Sequence, residues 1–192
     1  MFEIFRNYLS SKTSLSEADF EQIRAMSVIK KLRKHQYLLQ EGDVWRSNAF
    51  IAKGCLRRYQ VDAKGQEHIL TFATENWWIG DRDSLLTGNP AISNIDAIED
   101  SEVVLISKEN FDQLCQQLPS FNEFIQTILQ KSFIASQNRI YATISYTAEE
   151  KYQNFITTRP ELANRVPQHM IASYLGISAE TLSRVRNQMA KK

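Results

Sequence analysis

The sequence predicts an α+β fold: two short N-terminal helices, a small antiparallel β-domain, one long helix and a compact helical unit at the C-terminus. Three observations predict it. Apolar residues recur at helical spacing near both ends of the chain. Between residues 37 and 106 the period shortens to strand-like runs separated by turn-forming residues. Capping signals mark where helices begin.

Composition sets the limits. The chain has 192 residues, 43% apolar and 23% charged, which is ordinary for a globular protein and excludes disordered, collagenous and disulfide-framework classes. Six Gly and four Pro leave no room for long flexible linkers. No apolar run approaches the ~20 residues needed to span a bilayer. The N-terminus, MFEIFRNYLSSK, carries charges among its apolar residues and so is not a signal peptide. The chain is expected to stay in the cytoplasm, away from membranes.

The first helix is expected over Phe2, Ile4, Phe5, Tyr8 and Leu9. A second starts near Ser16, whose partner Asp19 follows three residues on, and buries Phe20, Ile23 and Met26. Strands are expected at Tyr37–Leu39, Asn48–Ala52, Cys55–Val61, Gln66–Ala73, Ile92–Ile98 and Glu102–Ile106. Asp62-Ala-Lys-Gly65 is a hairpin-type turn, because glycine accepts the positive φ such turns need. Short strands at this spacing suit a barrel, roll or sandwich.

Lys108–Gln117 is the next helix, stopped by Leu118-Pro119. Ser120-Phe-Asn-Glu123 has the pattern of a capping box and is expected to open a long helix to about Ser145. Phe121, Ile125, Ile128, Ser132, Ala135 and Ala142 form one side of it; Phe124, Leu129, Phe133 and Ile140 form another. A helix apolar on two sides must bury both. One side can cover the β-domain, and the other then needs a second chain, so residues 120–146 are expected to join a homodimer. Packing on the C-terminal unit is the competing use. Thr147-Ala-Glu-Glu150 caps the following helix, with Tyr152, Phe155 and Ile156 inward. The expected division is therefore 1–119, 120–146 and 147–192.

Residues 168–187 are the most informative stretch. A helix from Gln168 to Leu175 turns Ile171, Ala172 and Leu175 inward. Ala172 is small, as two closely crossing helices require. Gly176 ends the helix, Ile177 fills the space between helices, and Ser178 caps a second helix whose inward face is Leu182, Val185 and Met189. This is the spacing of a helix-turn-helix. The outward face offers Ala179, Glu180, Ser183, Arg184 and Asn187. Arginine can donate two hydrogen bonds to guanine, and glutamate can accept from the cytosine amino group. Gln168, Ser178 and Thr181 sit at helix N-termini, where N–H groups attract phosphate. Charge agrees: residues 1–138 carry 15 Lys and Arg against 18 Asp and Glu, net −3, whereas residues 139–192 carry 8 against 4, net +4. The expected partner is double-stranded DNA; the alternative is a helical pair making protein contacts only. No nucleophile–base spacing, Gly-rich phosphate loop or metal-ligand cluster points to an enzyme, so catalytic and metal-binding residues are expected to be none.

At these residues the chain resembles the Crp/Fnr family, bacterial regulators related to the catabolite activator protein. Leu39-Gln40-Glu41-Gly42-Asp43 resembles the family's first β-roll turn, Phe50-Ile51-Ala52-Lys53-Gly54 its following strand, Gly65-Gln66-Glu67-His68-Ile69-Leu70 its hairpin, and Trp78-Ile79-Gly80-Asp81 its F-x-G-E segment. The resemblance implies a cyclic-nucleotide-binding-like sensor roll, a dimer helix and a winged helix for DNA. It puts Glu180 and Arg184 on base-reading positions and Gln168, Ser178 and Thr181 on phosphate contacts. Ala179 replaces a frequent Arg, so the operator is expected to differ from the activator's. The sequence ends soon after the second helix, so the wing is expected to be reduced.

For the sensor, the resemblance implies a pocket at Leu70, Thr71, Gly80, Asp81 and Arg82, with Ser132 and Ser136 from the long helix. Ala91-Ile92 stand where cyclic-AMP binders place Arg-Ser. Burying a phosphate without a cation costs several kcal/mol, so an effector other than cyclic AMP is expected, unless Arg82 substitutes. The effector is left unidentified, and RNA polymerase is a further candidate partner. Cys55 and Cys115, the only cysteines, cannot supply the four thiolates of an iron–sulfur cluster and are expected to be reduced and mostly buried. Trp77 and Trp78 are expected in the core rather than in a pocket.

Overall fold

The computed structural model describes residues 2–190. Helices α1 (Phe2–Ser10) and α2 (Glu17–Ala25) open the chain, and Ser16 and Asp19 form the expected capping box. Eight strands follow: β1 (Ser27–Leu32), β2 (Tyr37–Leu39), β3 (Ser47–Lys53), β4 (Leu56–Val61), β5 (Glu67–Ala73), β6 (Trp78–Ile79), β7 (Asn94–Ala97) and β8 (Ser101–Ser107). They form two four-stranded antiparallel sheets, ordered β1-β8-β3-β6 and β2-β7-β4-β5. A short helix, α3 (Arg82–Thr87), interrupts the strands between β6 and β7.

Two positive-φ glycines shape the roll. Gly65 (φ +80°) closes the β4–β5 hairpin, where its N–H bonds the Asp62 carbonyl at 2.9 Å. Gly54 (φ +99°) joins β3 to β4 against Ser101, so closely that a Cβ would stand 2.1 Å from the Ser101 hydroxyl.

Helices α4 (Lys108–Gln117) and α5 (Pro119–Ser145) come next. The expected capping box at Ser120–Glu123 does not form. Pro119 takes the first helical position, which suits a residue without an N–H. The Ser120 hydroxyl instead accepts from the Ser14 backbone N–H at 3.1 Å, tying α5 to the N-terminal helices. The C-terminal helices are α6 (Ala148–Thr158), α7 (Pro160–Ala163), α8 (Gln168–Leu175) and α9 (Ala179–Met189). Thr147 and Glu150 cap α6 as expected.

Three cores hold these elements. The first packs α1, α2, α4 and the start of α5 on one sheet through Phe5, Phe50, Val104, Ile106, Leu114 and Phe121. Trp78 belongs here, edge-on to Phe5, Phe50 and Phe111 with ring centroids 5.5–5.8 Å away. The second core fills the roll between the sheets, around Leu56, Ile51, Ile95 and Val103. The third lies between β4–β5 and the C-terminal helices, joining Cys55, Tyr59, Ile69 and Phe72 to Phe155, Leu162, Ile171 and Leu182. Only the first turns of α5 are buried, through Phe121, Phe124 and Ile125; residues 130–138 are all exposed.

Candidate nucleic-acid interface

Helices α8 and α9 cross over a small buried contact. Ile171 and Ala172 from α8 meet Leu182 from α9 in the third core, with Leu175 and Ile177 half-buried against them; Val185 is also buried and Met189 half-buried. Gly176 adopts the left-handed conformation (φ +66°), and its N–H bonds the Ala172 and Ser173 carbonyls. The turn follows directly from sequence, because glycine is the residue that takes this conformation without strain. Ser178 caps α9 by accepting from the Thr181 N–H at 3.1 Å, and its hydroxyl donates to Thr181 Oγ1 at 3.0 Å.

Burying Leu182 and Val185 turns the opposite face of α9 outward. Ala179, Glu180, Ser183, Arg184, Asn187 and Gln188 line one open hollow there. All six are exposed, and neither Glu180 nor Arg184 has an ion-pair partner among the described residues. Of the helix-terminal candidates, Ser178 is exposed, while Thr181 and Gln168 are half-buried. Gln168 begins α8, whose first turn no side chain caps; its Oε1 is enclosed without a partner among the described residues. The structure therefore gathers five base-reading candidates on one face and leaves the α8 N-terminus as a separate donor group.

That face is held at a fixed angle by contacts that sequence spacing did not reveal. The Ser173 hydroxyl accepts from Ile69 N–H at 3.0 Å and donates to the Glu67 carbonyl at 2.9 Å, pinning α8 to β5. Arg139 reaches from α5 to the carbonyls of Leu70, Ile69 and Tyr174, and lies 4.1 Å over the Tyr174 ring. Burial pulls the Arg139 guanidinium below its ordinary pKa. Arg165 grips Glu75 in a two-point ion pair at 2.8 and 3.0 Å and also bonds Glu99. Arg159 lies 4.2 Å over the Trp77 ring, so Trp77 is an exposed docking platform rather than a core residue. Single long-range pairs of this kind leave no periodic signal.

The pocket candidates are distributed differently. Leu70 and Thr71 are half-buried on β5, and the Leu70 carbonyl is held by Arg139. Asp81 is buried as the cap of α3, accepting from Ser84 N–H at 3.1 Å and from the Ser93 hydroxyl at 2.6 Å. The Gly80 carbonyl accepts from Arg58 at 3.0 Å. Arg58 pairs with Thr71 across β4–β5 and so links these positions, a residue that sequence reasoning missed. Its signal was modest: it shares a strand face with Leu56, whereas its neighbour Arg57 points the other way to Asp96. Arg82, Ser132 and Ser136 are exposed, and the Ser136 hydroxyl donates to the Ser132 carbonyl at 2.9 Å. Among the described residues no three His, Cys, Asp or Glu side chains converge as metal ligands. Burial raises the thiols of Cys55 to about 12 and Cys115 to about 11, which keeps both protonated.

Comparison with known proteins bears on both halves of the chain. Residues 29–118 match the family of the cyclic nucleotide-binding domain. The fumarate and nitrate reduction regulatory protein of Vibrio cholerae is 27% identical over 190 residues, spanning 93% of this chain and 75% of that protein. FixK2 from Bradyrhizobium japonicum shares the fold with a TM-score of 0.75 at 17% identity, over 86% of this chain and 85% of its own. The Thermus thermophilus catabolite activator protein does so with a TM-score of 0.58 at 20% identity, over 93% and 85%. No helix among the described residues is long and apolar enough to cross a membrane.

Proposed function

We infer that this chain belongs to the Crp/Fnr family of DNA-binding transcriptional regulators and that the outward face of α9 reads its operator. Glu180 and Arg184 contact base edges in the major groove, with Ala179, Ser183 and Asn187 beside them. The N–H groups at the starts of α8 and α9, with Gln168, Ser178 and Thr181, seat the helices on phosphates. The observation that carries this reading is the open α9 face: its polar groups are unpaired among the described residues, while the burial of Leu182 and Val185 fixes its rotation from behind.

The regulator acts as a homodimer. The support in this chain is α5, which exposes Phe133 (65%), Ile134, Ile140, Tyr141 and Ile144 (79%) along its second half. Phe133 and Ile140, and Ile134 and Tyr141, are seven residues apart, which places them along one stripe. Pairing two such stripes presents two α9 helices to successive major grooves, ~34 Å apart on a near-palindromic site. The β-roll is the sensor domain, and its signal passes through Arg139 and Ser173, which bridge β5 to α8. Residues 1–119, 120–146 and 147–192 then act as sensor, dimer helix and reader, and the regulator works in the cytoplasm.

Selection from random-sequence duplexes, read by mobility shift, tests this. A two-fold symmetric sequence should be enriched. Recovery of no common sequence would leave α9 without a reading role and favour protein contacts instead.

A further inference from the structure

Two cations meet at the edge of the β-roll with no anion between them. In the β4–β5 ladder Arg58 pairs with Thr71 and Tyr59 with Ile69, so Leu70 is an extra residue that bulges from β5. The Leu70 carbonyl accepts from Arg139 of α5. Arg58, half-buried on the facing strand, donates through Nη1 to the Gly80 carbonyl at 3.0 Å. The two guanidiniums are near enough to repel. Burial is the main cause of the low Arg139 pKa, and the Arg58 charge acts in the same direction while Tyr174 opposes it. Neither arginine has a carboxylate within ion-pair reach among the described residues. Asp81, next to Gly80, does not serve: it is buried, and its two oxygens accept from the Ser84 N–H and the Ser93 hydroxyl.

The enclosed, unpartnered atoms beside Gly80 are both donors. Arg58 Nε is one; the other is Nε1 of Trp45, a residue only 6% exposed. A Cβ at Gly80 would stand 2.6 Å from Trp45 Nε1, so it is the missing side chain that leaves room there. Buried donors are normally paired. A cluster of donors carrying positive charge lacks an acceptor carrying negative charge.

Helix α5 leaves space over these groups. Phe121, Ile125, Ile128, Ser132, Ser136 and Arg139 recur every three or four residues and share one face of it. That face is buried at Phe121 and Ile125 and reaches β5 again at Arg139, yet Ser132 and Ser136 between them are exposed. A helix that touches the roll at both ends of one face and stays solvated between them spans an open cleft. From Ile128 to Arg139 the cleft is about 16 Å long.

We propose that this cleft binds a small oxyanion, whose carboxylate or phosphate group is held by Arg58 and Arg139 with the Trp45 N–H at its inner end. Such a group presents only acceptors and neutralises the two guanidiniums, which a neutral ligand or a cation does not. Given the sensor role of the β-roll, on which this step rests, the anion is the effector. Arg139 also holds the Ile69 carbonyl of β5 and the Tyr174 carbonyl of α8, so occupancy reaches the reading helices through one side chain.

The test melts the full-length protein in succinate, inorganic phosphate or chloride, each at matched ionic strength and without DNA. Succinate or phosphate should raise the melting temperature by about 5 °C over chloride when present at roughly a hundredfold excess over its dissociation constant. Which of the two does so identifies the bound group. Arg58→Gln can still donate to the Gly80 carbonyl and should melt cooperatively, with the rise gone. Arg58→Lys keeps the charge but not the Nε donor, and its rise should fall to about half. Equal melting in all three salts would overturn the proposal, as would a full rise in both variants. Loss of the rise in Arg82→Gln with its retention in Arg58→Gln would move the anion to the exposed arginine of α3 and overturn it too. A rise that depends on Arg58 while operator affinity ignores the anion supports the site; it is then the sensor role of the roll that fails.

Discussion

Arg139 stands 4.1 Å over the ring of Tyr174 while donating to the Tyr174 carbonyl at 3.2 Å. One residue is in the exposed half of the long helix α5 and the other in α8. The same guanidinium bonds the Leu70 and Ile69 carbonyls of β5. Three parts of the chain therefore share one cation, and no carboxylate is within ion-pair reach of it among the described residues. A displacement of α5 or β5 must move α8.

Replacing Arg139 by Met should loosen this junction. Three carbonyls lose a charged donor and Tyr174 loses its cation, a cost of roughly 2–3 kcal/mol. Limited proteolysis should then cut faster between α5 and α6, near Tyr146, with the β-roll intact. Cleavage at the wild-type rate would show that the third core alone fixes the domains.

Arg184→Ala should leave the melting temperature unchanged, since Arg184 is exposed and without a partner among the described residues. Its effect belongs to recognition: a loss of ~1–3 kcal/mol on the operator and relaxed preference at one base pair. Equal losses on cognate and scrambled duplexes would make Arg184 a phosphate contact instead.

The dimer stripe predicts a different failure. Ile144→Glu puts a charge at a residue that is 79% exposed in the single chain, so the fold should survive. The dimer should weaken by about 3 kcal/mol, near a hundredfold in dissociation constant, measurable by sedimentation equilibrium. An unchanged dimer would remove residues 133–144 from the contact.

Glu75 gives the docking a pH dependence. Burial pushes its carboxyl up, but hydrogen bonds from Arg165 and the Gly54 N–H, with the Arg165 charge, outweigh that and hold it below its ordinary value. A carboxyl with a depressed folded-state pKa stabilises fully above its unfolded pKa and stops doing so as pH falls through the folded one. Domain docking should thus be constant from neutrality to roughly pH 4–5 and weaken below that. Glu75→Gln should flatten the acid limb of a urea-unfolding series. An identical limb in the variant would place the sensitivity elsewhere, Glu99 being the next partner of Arg165.

Particular elements show why some of this was legible before folding. The helix starts at Ser16, Thr147 and Ser178 were readable because a cap and its acceptor lie within one turn. Ser120 misled for the same reason: its pattern was right, but Pro119 took the helix start and Ser14 took the hydroxyl. β1 was missed because it is an edge strand, with Val28 66% exposed and no alternation of apolar and polar residues. β6 is two residues long and α3 six, too short for any period to show.

By itself, the order of residues determined the longer helices and most of the strands, the left-handed turn at Gly176 and the outward set Ala179, Glu180, Ser183, Arg184 and Asn187, because local hydrogen bonding and periodicity act over a few residues. Only the tertiary structure decided that α8 and α9 share a core with β4 and β5 and that Arg139, Arg159 and Arg165 are engaged inside the protein. Those outcomes depend on contacts between residues as far apart as Ile69 and Ser173. Such pairs are chosen by the packing of whole faces and leave no mark at short range.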